Sequence, residues 1–537
     1  MKDFSFKTRS NNLKRLESES FDLLILGGGI TGAGVARDAA ARGLKVGLIE
    51  ANDFAFGTSS RSSKLIHGGI RYLENQEFHL VFEALNERTK LFHMAPHLVH
   101  PLRFMIPLFS DSRVGMFKMG LGMWLYDALS LFQTPEMHER LNAHETMDRM
   151  PIVKAKELQG SFIYSDAYMD DDRLVHETLR SANEHGAVCV NYVSAEKSEF
   201  GADGKIKTIF AQDRISNKKI KISAKHVICS VGPWTDIVGQ KVVDDWKIIL
   251  RPTKGIHLTF AKDRLPLSSA VVMAAQESSR IVFAIPRHEM VIVGTTDTDF
   301  KGNPTDAIVT PEDVEYLLNI TNQYFPGAKL KASDIISSYV GVRPLVKDES
   351  SSESKTSREH TIMSDDRGFT FVAGGKYTTY RLMAEQIVDR ALKCFSFDTR
   401  ASLKRCQTNE PLNLYTSVDA YSEAVNTAEN ALLKQLATRY GKENKVILEK
   451  YGYTDRIWSL EAYQAINTTM CLNLIDFYTR RAPLFLAQKD HGLEFLDEVA
   501  EVFRSELNLS ADAIEKQKQD LKDYISAELK WKSFFSK

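Results

Sequence analysis

The sequence predicts an α/β fold with three parts: an opening parallel-sheet domain, a mixed α/β middle and a helical C-terminal region. A short apolar run at residues 21–26 ends at a cluster of glycines, which is typical of a buried parallel strand followed by a tight turn. Strand-like runs, for example residues 225–229 and 290–293, then alternate with glycine and proline turns. Beyond about residue 400, residues 421–440 and 494–507 show helical apolar spacing with many charges.

Residues 21–49 are predicted to form a βαβ unit, because an alanine-rich helical segment at residues 30–42 ends at Gly43 and a second strand follows at residues 45–49. The turn after the first strand fits G-x-G-x-x-G, in which successive glycines make the turn, let the backbone approach a pyrophosphate and let helix and strand pack closely: Gly27, Gly29 and Gly32. Glu50 follows the second strand, near the offset at which a carboxylate binds a ribose hydroxyl. The unit therefore predicts a Rossmann-type dinucleotide-binding domain.

A second glycine turn helps to decide between NAD and FAD, which share the first fingerprint. A strand at residues 369–373 is followed by Gly374-Gly375-Lys376 and by a helical segment at residues 380–392. Such a turn at a helix start can direct its dipole at a flavin ring and favour the anionic charge that reduction places there. We therefore expect FAD as the cofactor. A strand-to-helix turn without a ligand is the alternative interpretation.

Hydroxyl and cationic side chains between the two glycine turns are suited to bonding a pyrophosphate and the edges of a ring. On their own, such serine-rich runs are more often ordinary loops. Between two cofactor motifs, we expect cofactor contacts from Thr58, Ser59, Ser60, Ser63, Lys64 and His67. After the second turn, Thr378 is expected to contact the cofactor, and Thr378 and Thr379 are expected to cap the following helix.

Composition restricts the function further. The chain has 69 Lys plus Arg and 70 Asp plus Glu, and its net charge of -1 gives no reason to expect nucleic-acid binding. The five cysteines are scattered without a C-x-x-C pair, which argues against a disulfide framework or a zinc site and favours a reducing compartment. No metal is predicted. No run of eighteen apolar residues occurs, so a transmembrane helix is not expected.

Two segments have surfaces that bear on localisation. Residues 1–20 are highly charged and are interpreted as a short solvated arm, because they lack the apolar core of a secretory signal. Residues 114–132 are rich in Met, Leu, Phe and Trp, which fits either a helix in a membrane interface or a buried core helix. The sequence alone leaves these two interpretations open.

Six motifs, in unbroken order, carry a resemblance to a known family. They are SSKLIHGGIRYLE from Ser62, MAPHLVHP from Met94, VGPW from Val231, IVGTTDTDFKGNP from Ile292, GVRPL from Gly341 and GGKYTTYR from Gly374. Over residues 21–392 they strongly resemble the aerobic, quinone-linked, FAD-dependent glycerol-3-phosphate dehydrogenases. The helical tail resembles the C-terminal domain of that family more loosely.

The resemblance implies three domains. A discontinuous Rossmann-type FAD-binding domain is expected from residues 20–75, 170–250 and 335–395. A mixed α/β substrate domain is expected from residues 76–169 and 251–334, and a C-terminal helical domain from residues 400–537. It implies oxidation of sn-glycerol 3-phosphate to dihydroxyacetone phosphate by hydride transfer to flavin N5, with electrons passed on to a membrane quinone. It also implies a cytoplasmic protein attached peripherally to the cytoplasmic face of the inner membrane. A homodimer is left open.

By the same resemblance, cations line the substrate pocket, where the planar guanidinium of an arginine can meet two phosphate oxygens. The matched substrate-binding positions are Arg71, Tyr72, Arg343, Arg358 and Lys376. Gly232 resembles the family's turn beside the adenosine. His257 is the preferred proton acceptor because imidazole accepts a proton near neutral pH, while His67 is its rival. Arg343 or Lys376 could instead stabilise the alkoxide.

Three alternatives remain. A flavin amine oxidase of the glycine or sarcosine type would share the first fingerprint but should lack the paired GVRPL and GGKYTTYR motifs. A glycerol-3-phosphate oxidase that uses oxygen would carry a long extra segment, for which residues 294–341 leave no room. A non-catalytic flavoprotein would keep its yellow colour when mixed with the substrate.

Overall fold

Two β-sheets and many helices make up this computed structural model, which describes residues 2–74, 76–274, 280–288, 290–347 and 360–535. The strands of the described residues are β1 (Ser20–Leu26), β2 (Val46–Ile49), β3 (Leu65–Ile66), β4 (Val99–Phe109), β5 (Glu139–Asn142), β6 (Leu158–Met169), β7 (Val188–Val190), β8 (Val193–Phe200), β9 (Ile206–Asp213), β10 (Lys219–Cys229), β11 (Thr253–Ala261), β12 (Ala270–Ala274), β13 (Ile281–Arg287), β14 (Met290–Gly294), β15 (Thr298–Asp299), β16 (Ile335–Arg343), β17 (Thr361–Ser364) and β18 (Phe369–Ala373).

The α-helices of the same residues are α1 (Phe6–Ser18), α2 (Ile30–Arg42), α3 (Arg71–Glu74), α4 (Phe78–Met94), α5 (Met116–Leu129), α6 (Ala143–Arg149), α7 (Asp171–Glu184), α8 (Thr235–Val242), α9 (Pro311–Tyr324), α10 (Tyr380–Leu392), α11 (Phe397–Ser402), α12 (Val418–Asn426), α13 (Ala431–Tyr440), α14 (Glu443–Tyr451), α15 (Ile457–Thr468), α16 (Leu474–Arg480), α17 (Leu484–Ala487), α18 (Leu496–Glu506), α19 (Ala511–Glu528) and α20 (Lys532–Phe535).

The first sheet has the strand order β17-β18-β10-β1-β2-β7 and carries β9 and β8 beside β10. Strands β18, β10, β1, β2 and β7 run parallel. Leu26 at the end of β1 pairs with Ile49 of β2 and with Cys229 of β10, so the carboxyl ends of three strands meet at one edge. The predicted βαβ unit is confirmed, with α2 at the predicted residues and β2 beginning one residue later.

The second sheet is mostly antiparallel and follows the order β15-β11-β14-β13-β12-β4-β6-β3, with β16 beside β11 and β5 beside β6. Two of its strands differ from the predicted domain boundaries, since β3 and β16 were both expected in the nucleotide domain. In the structure β3 pairs with β6, and β16 pairs with β11. Both strands are apolar and buried, and burial alone does not reveal which sheet a strand joins.

Helices occupy the chain beyond residue 396 among the described residues, which confirms the predicted C-terminal helical region. The predicted helix at residues 421–440 is two helices, α12 and α13, with α13 capped by the Asn430 side chain. Apolar residues of α15, α16 and α18 share one hydrophobic core with the second sheet, as Phe477 and Phe503 do with Phe104. The helical region therefore packs on the second sheet.

The N-terminal segment is not the solvated arm that its charge predicts. It forms α1, which begins with a capping box at Ser5 and Thr8. Leu16 is buried in the core of the first sheet, and the Arg9 side chain ion pairs with Asp213 at 2.6 Å. The prediction was wrong because the long side chains of α1 find buried partners that lie more than 180 residues away along the chain.

Helix α5 combines the two interpretations of residues 114–132. Its inner face is buried at Met123 and Tyr126, whereas Phe117 is 80% exposed and Trp124 is 58% exposed. The helix is therefore neither wholly buried nor wholly exposed. In the described part of the chain, no helix has both the length and the apolar character needed to cross a membrane.

Candidate cofactor and substrate site

A cavity of about 860 Å³ opens where the parallel strands of the first sheet end. Both glycine turns line it, although more than 340 residues separate them in the sequence. The predicted cofactor residues that line it are Gly27, Gly29, Glu50, Thr58, Ser59, Gly232, Gly374, Gly375 and Lys376. The topology brings the two motifs together because β1 and β18 flank the same strand, β10.

The first turn consists of glycines because larger residues at its positions would bring side-chain atoms too close to their neighbours. Gly27 has φ +109°, a conformation that favours glycine. A Cβ at Gly32 would overlap the Gly27 carbonyl oxygen, which explains the close packing of helix on strand. At Gly29, which precedes α2 without a side-chain cap, a Cβ would come within 3.0 Å of the Ser59 hydroxyl. The turn therefore leaves the start of α2 open towards the cavity.

Glu50 lies against this turn. Its Oε2 accepts a hydrogen bond from the Gly28 amide at 2.7 Å, and its Oε1 accepts one from the Asn52 amide at 2.8 Å. Burial raises the pKa of Glu50, and the two backbone hydrogen bonds oppose that rise. The carboxylate is thus fixed by the backbone at the wall of the cavity, and its contact with a ribose stays a prediction.

The second glycine turn joins the cofactor cavity to the predicted substrate residues. The Lys376 ammonium lies 3.7 Å from the centroid of the Tyr72 ring, a cation–π contact that orients it. The predicted capping by Thr378 and Thr379 is wrong, because α10 begins without a side-chain cap. The Thr378 hydroxyl instead accepts from the His67 amide at 3.1 Å and ties the two loops together.

The hydroxyl run divides into cavity residues and buried structural residues. Thr58 donates to the Val342 carbonyl at 2.7 Å, and Ser59 accepts from the amide of Ile30 at 2.9 Å. Both residues also line the cavity. This part of the run connects the start of α2 with the end of β16.

Four members of the run do not line the cavity, namely Ser60, Ser63, Lys64 and His67. The Lys64 ammonium, which is 1% exposed, ion pairs with Asp171 and cannot reach a cofactor phosphate. Ser63 shares a hydrogen bond of 2.8 Å with the His257 ring, and Ser60 is buried with its carbonyl accepting from Lys64. The predicted cofactor contact of Lys64 is corrected, because its charge is buried against Asp171, 107 residues away in the sequence, whereas cofactor contacts of Ser60, Ser63 and His67 stay predictions.

Arg343 stands at the end of β16, and its guanidinium contacts the residues that follow β14. Its guanidinium donates to the Thr295 hydroxyl at 2.9 Å and to Asp297 at 3.1 Å. The next residue, Pro344, lines the cavity together with Lys376. The structure therefore places Arg343 beside the cavity and Lys376 within its wall, and both were predicted to bind the phosphate.

His257 lies on β11, on the strand next to Arg343. Its ring stacks on Tyr339 at 4.7 Å, and Nδ1 has no hydrogen-bond partner among the described residues. Burial lowers the pKa of His257 well below its ordinary value, and the charges of Arg343 and Lys64 lower it further. The imidazole is therefore neutral at neutral pH, and it lies behind the residues that line the cavity.

Comparison with known proteins identifies the family. Residues 22–381 match the FAD-dependent oxidoreductase family named DAO. The aerobic glycerol-3-phosphate dehydrogenase of Staphylococcus saprophyticus is 34% identical over 528 residues, which cover 94% of this chain and 95% of that protein. The chain belongs to the FAD-dependent glycerol-3-phosphate dehydrogenase family. The resemblance seen in the six motifs is thereby confirmed, as is FAD as the cofactor.

Other relatives agree with this assignment. The aerobic glycerol-3-phosphate dehydrogenase of Staphylococcus aureus is 33% identical over 538 residues, 96% of either chain. A crystal structure of the glycerol-3-phosphate dehydrogenase from Bacillus halodurans complexed with FAD has a TM-score of 0.80 at 28% identity and covers 98% of both chains. Glycine oxidase from Geobacillus kaustophilus shares the fold, with a TM-score of 0.55 at 17% identity over 71% of this chain and 96% of that one.

The cavity fits a dinucleotide in size and in the groups it offers. Cofactor sites commonly enclose roughly 300–1,000 Å³, and this one encloses about 860 Å³. The start of α2, cleared by its glycines, would hold the pyrophosphate through backbone amides and the helix dipole. Glu50 would bind the ribose, and Gly374-Gly375-Lys376 would meet the flavin.

Some predicted residues cannot be placed, and some lining residues were missed. The side chain of Arg71 and all of Arg358 lie outside the described residues. Trp234 lines the cavity, and its indole Nε1 donates to Asn303 at 3.2 Å, which joins a loop of the second sheet to the cofactor site. Only the VGPW and GNP ends of two quoted motifs pointed to this pair. Arg214 also lines the cavity, and no sequence signal marked it.

Proposed function

We propose that this protein oxidises sn-glycerol 3-phosphate to dihydroxyacetone phosphate with bound FAD and passes the electrons to a membrane quinone. The observation that carries the proposal is the pair Arg343 and Lys376, two cations beside one cavity that both glycine turns line. A small phosphate ester is the substrate class that such a pair suits. The named activity of the 34% identical relative points the same way.

In this mechanism the protein positions the substrate and moves one proton. Arg343 holds the phosphate, since Thr295 and Asp297 already fix the direction of its guanidinium. Bound FAD supplies the hydride acceptor at N5. His257 takes the hydroxyl proton, and Lys376, held over Tyr72, stabilises the negative charge that develops on the substrate oxygen.

Replacing His257 with asparagine is expected to lower kcat about 10²-fold while FAD stays bound, because general-base catalysis contributes at least that factor. The depressed pKa of His257 sets the pH profile. A base is active when deprotonated, so kcat/KM should fall only at a pH well below the ordinary histidine pKa of about 6.5, and the variant should lose this acid limb. Steady-state kinetics between pH 5 and 8 measure both effects.

Two further histidines complete that experiment. His226→Asn removes an equally buried imidazole, one that bonds Thr370 on the first sheet, and should leave the acid limb in place. His67→Asn tests the rival base. A larger loss of kcat in the His67 variant, with the acid limb lost there instead, would transfer the role to His67.

The decisive test of the function is anaerobic reduction of the purified yellow protein with glycerol 3-phosphate, glycerol, glycine and sarcosine. Bleaching by the phosphate ester alone is expected. Bleaching by glycine or sarcosine would indicate an amine oxidase, and bleaching by none would favour a non-catalytic flavoprotein. Reoxidation of the bleached protein by a short-chain quinone should be much faster than by dissolved oxygen, and the reverse order would indicate an oxidase.

We also propose that the outer faces of α4 and α5 rest on the membrane. Phe117, Leu121, Trp124 and Leu125 are exposed at helical spacing along one face of α5, and α4 packs beside it. Soluble monomers rarely expose such a continuous apolar surface. The inner face of α5 joins this surface to the loop after β3, because the Tyr126 hydroxyl accepts from the Gly68 amide at 3.0 Å, next to His67.

The double substitution Leu121→Glu/Trp124→Glu is expected to weaken binding to phospholipid vesicles by about 100-fold or more, since each large apolar side chain contributes about 1.5–3 kcal/mol on burial. Co-sedimentation with phosphatidylglycerol and phosphatidylethanolamine vesicles measures it. The control Phe397→Glu/Leu414→Glu changes two apolar residues of the helical region that are more exposed than Leu121 and Trp124, and it should leave binding intact. Equal losses in both double variants would argue against this surface.

A further inference from the structure

The segment after β2, residues 50–57, supports the first glycine turn; we call it the Glu50 loop. Its Ala55 amide donates to the Gly28 carbonyl at 3.1 Å, in addition to the bond from the Gly28 amide to Glu50. A Cβ at Gly28 would come within 2.7 Å of the Phe54 ring, so the loop packs directly beneath the turn. Phe56 and Gly57, at its end, line the cavity. The loop and the turn thus form one wall of the FAD site.

Asp53 is the centre of this loop and is 0% exposed. Its carboxylate accepts hydrogen bonds from Arg480 Nε at 2.8 Å and from Arg481 Nη1 and Nη2 at 2.9 and 3.0 Å. Both arginines stand at the end of α16 in the helical region. Burial would raise the pKa of Asp53, but the charges of Arg481 and Arg480 outweigh it and keep the carboxyl ionised.

Two more contacts join α16 to the same loop. The Arg480 guanidinium lies 5.6 Å from the centroid of the Phe56 ring, which itself lines the cavity. The Tyr192 amide donates to the Asn52 carbonyl at 2.8 Å, while its hydroxyl donates to Asp476 of α16 at 2.5 Å. Residues from the helical region therefore contact the loop at Asp53 and Phe56, and Asp476 reaches Asn52 through Tyr192.

Within the described chain, no residue of the helical region beyond residue 396 lines the cavity. We infer that the buried group Asp53–Arg480–Arg481, the Asp53 clamp, makes FAD binding depend on the C-terminal helical region. These residues are positioning residues, because they act on the cofactor through the loop. The inference rests on FAD as the cofactor and does not require glycerol 3-phosphate to be the substrate.

The physical reason is the isolation of the clamp from water. Removing one of the two arginines, Arg481, leaves the buried Asp53 charge only partly compensated by Arg480, and the structure relaxes by bringing that charge towards solvent. At Asp53 such a movement displaces the Glu50 loop and, with it, the wall that carries Glu50 and Phe56. Coupling between two sites is reciprocal, so FAD bound against the wall should in turn stabilise α16.

The first experiment compares two arginine variants of the full chain. Arg481→Met should raise the Kd for FAD about tenfold or more. Arg180→Met breaks a different buried pair, Arg180–Glu443 at 2.5 Å, which also links the helical region to the rest of the chain but lies outside the Glu50 loop. That control should leave the Kd within about twofold, because Arg180 and Glu443 neither belong to the Glu50 loop nor line the FAD cavity. Titration of each apoprotein with FAD, followed by flavin fluorescence, gives the Kd values.

Thermal midpoints of the two apoproteins show whether both variants are destabilised to a similar degree. A normal Kd in Arg481→Met overturns the inference. An equal rise in both variants also overturns it, because general destabilisation would then account for the effect. If a variant fails to fold, hydrogen exchange in the unmodified protein tests the inference instead.

The second experiment measures hydrogen exchange in the unmodified protein, without and with saturating FAD. Amides of α16 should exchange about tenfold or more slowly when FAD is bound, although α16 does not line the cavity. Amides of α14, which carries Glu443, should change little. Unchanged exchange in α16 would contradict the clamp, whatever the variants show.

Discussion

Replacing Arg343 with alanine is expected to lower kcat/KM for glycerol 3-phosphate by about 10²- to 10³-fold while leaving FAD bound. The side chain presents a planar guanidinium whose outer edge is backed by Thr295 and Asp297. Two hydrogen bonds to a charged phosphate contribute about 1.5–3 kcal/mol each, and every 1.36 kcal/mol is tenfold in rate. Steady-state kinetics and the flavin absorbance of the purified variant measure the two parts of this expectation.

Arg251 provides the matched control for Arg343. It precedes β11 and pairs with Asp299 at 2.8 Å, so Arg251→Ala removes a neighbouring Arg–Asp pair without removing a cavity cation. Activity in that variant should stay within about twofold, as for most exposed ion pairs. If Arg343→Ala instead lost FAD and kept its activity after reloading, the residue would belong to the cofactor site.

Replacing Gly32 with alanine is expected to yield protein without bound FAD. The new Cβ would overlap the Gly27 carbonyl oxygen, and that oxygen belongs to the turn that would hold the pyrophosphate. Overpacking of this kind costs about 3 kcal/mol, which corresponds to an increase in Kd of about 100-fold. Absorbance near the flavin bands after purification and FAD titration of the apoprotein measure the effect.

The variant Gly43→Ala is the control, because it changes the end of the helix that follows the turn and not the turn itself. Gly43 ends the same helix with φ +103°, and a Cβ there would meet open space. The variant should lose about 1 kcal/mol of stability through its left-handed backbone, yet bind FAD normally. Full FAD occupancy in Gly32→Ala would show that the close approach of helix and strand is dispensable.

The candidate site was partly readable in advance because some of its parts are local. The first glycine turn, α2 and the second turn follow from glycine positions and helical spacing within short windows. Cofactor contacts from Ser60, Ser63 and Lys64 were predicted from side-chain chemistry alone. Lys64 and Ser63 have partners far away in the sequence, at separations of 107 residues to Asp171 and 194 residues to His257, whereas the Ser60 hydroxyl donates to Gly57 nearby. Residue type could not reveal that these groups were already paired.

By itself, the sequence determined the βαβ unit, the two glycine turns, the helical C-terminal region and the family, because turn geometry, helical spacing and motif order are properties of neighbouring residues. Tertiary structure alone decided that β3 and β16 join the second sheet, that α1 packs on the first sheet, and that Asp53 meets Arg481 across 428 residues. Strand partners and buried ion pairs depend on which surfaces exclude water together, and the folded chain settles that after each local element has formed.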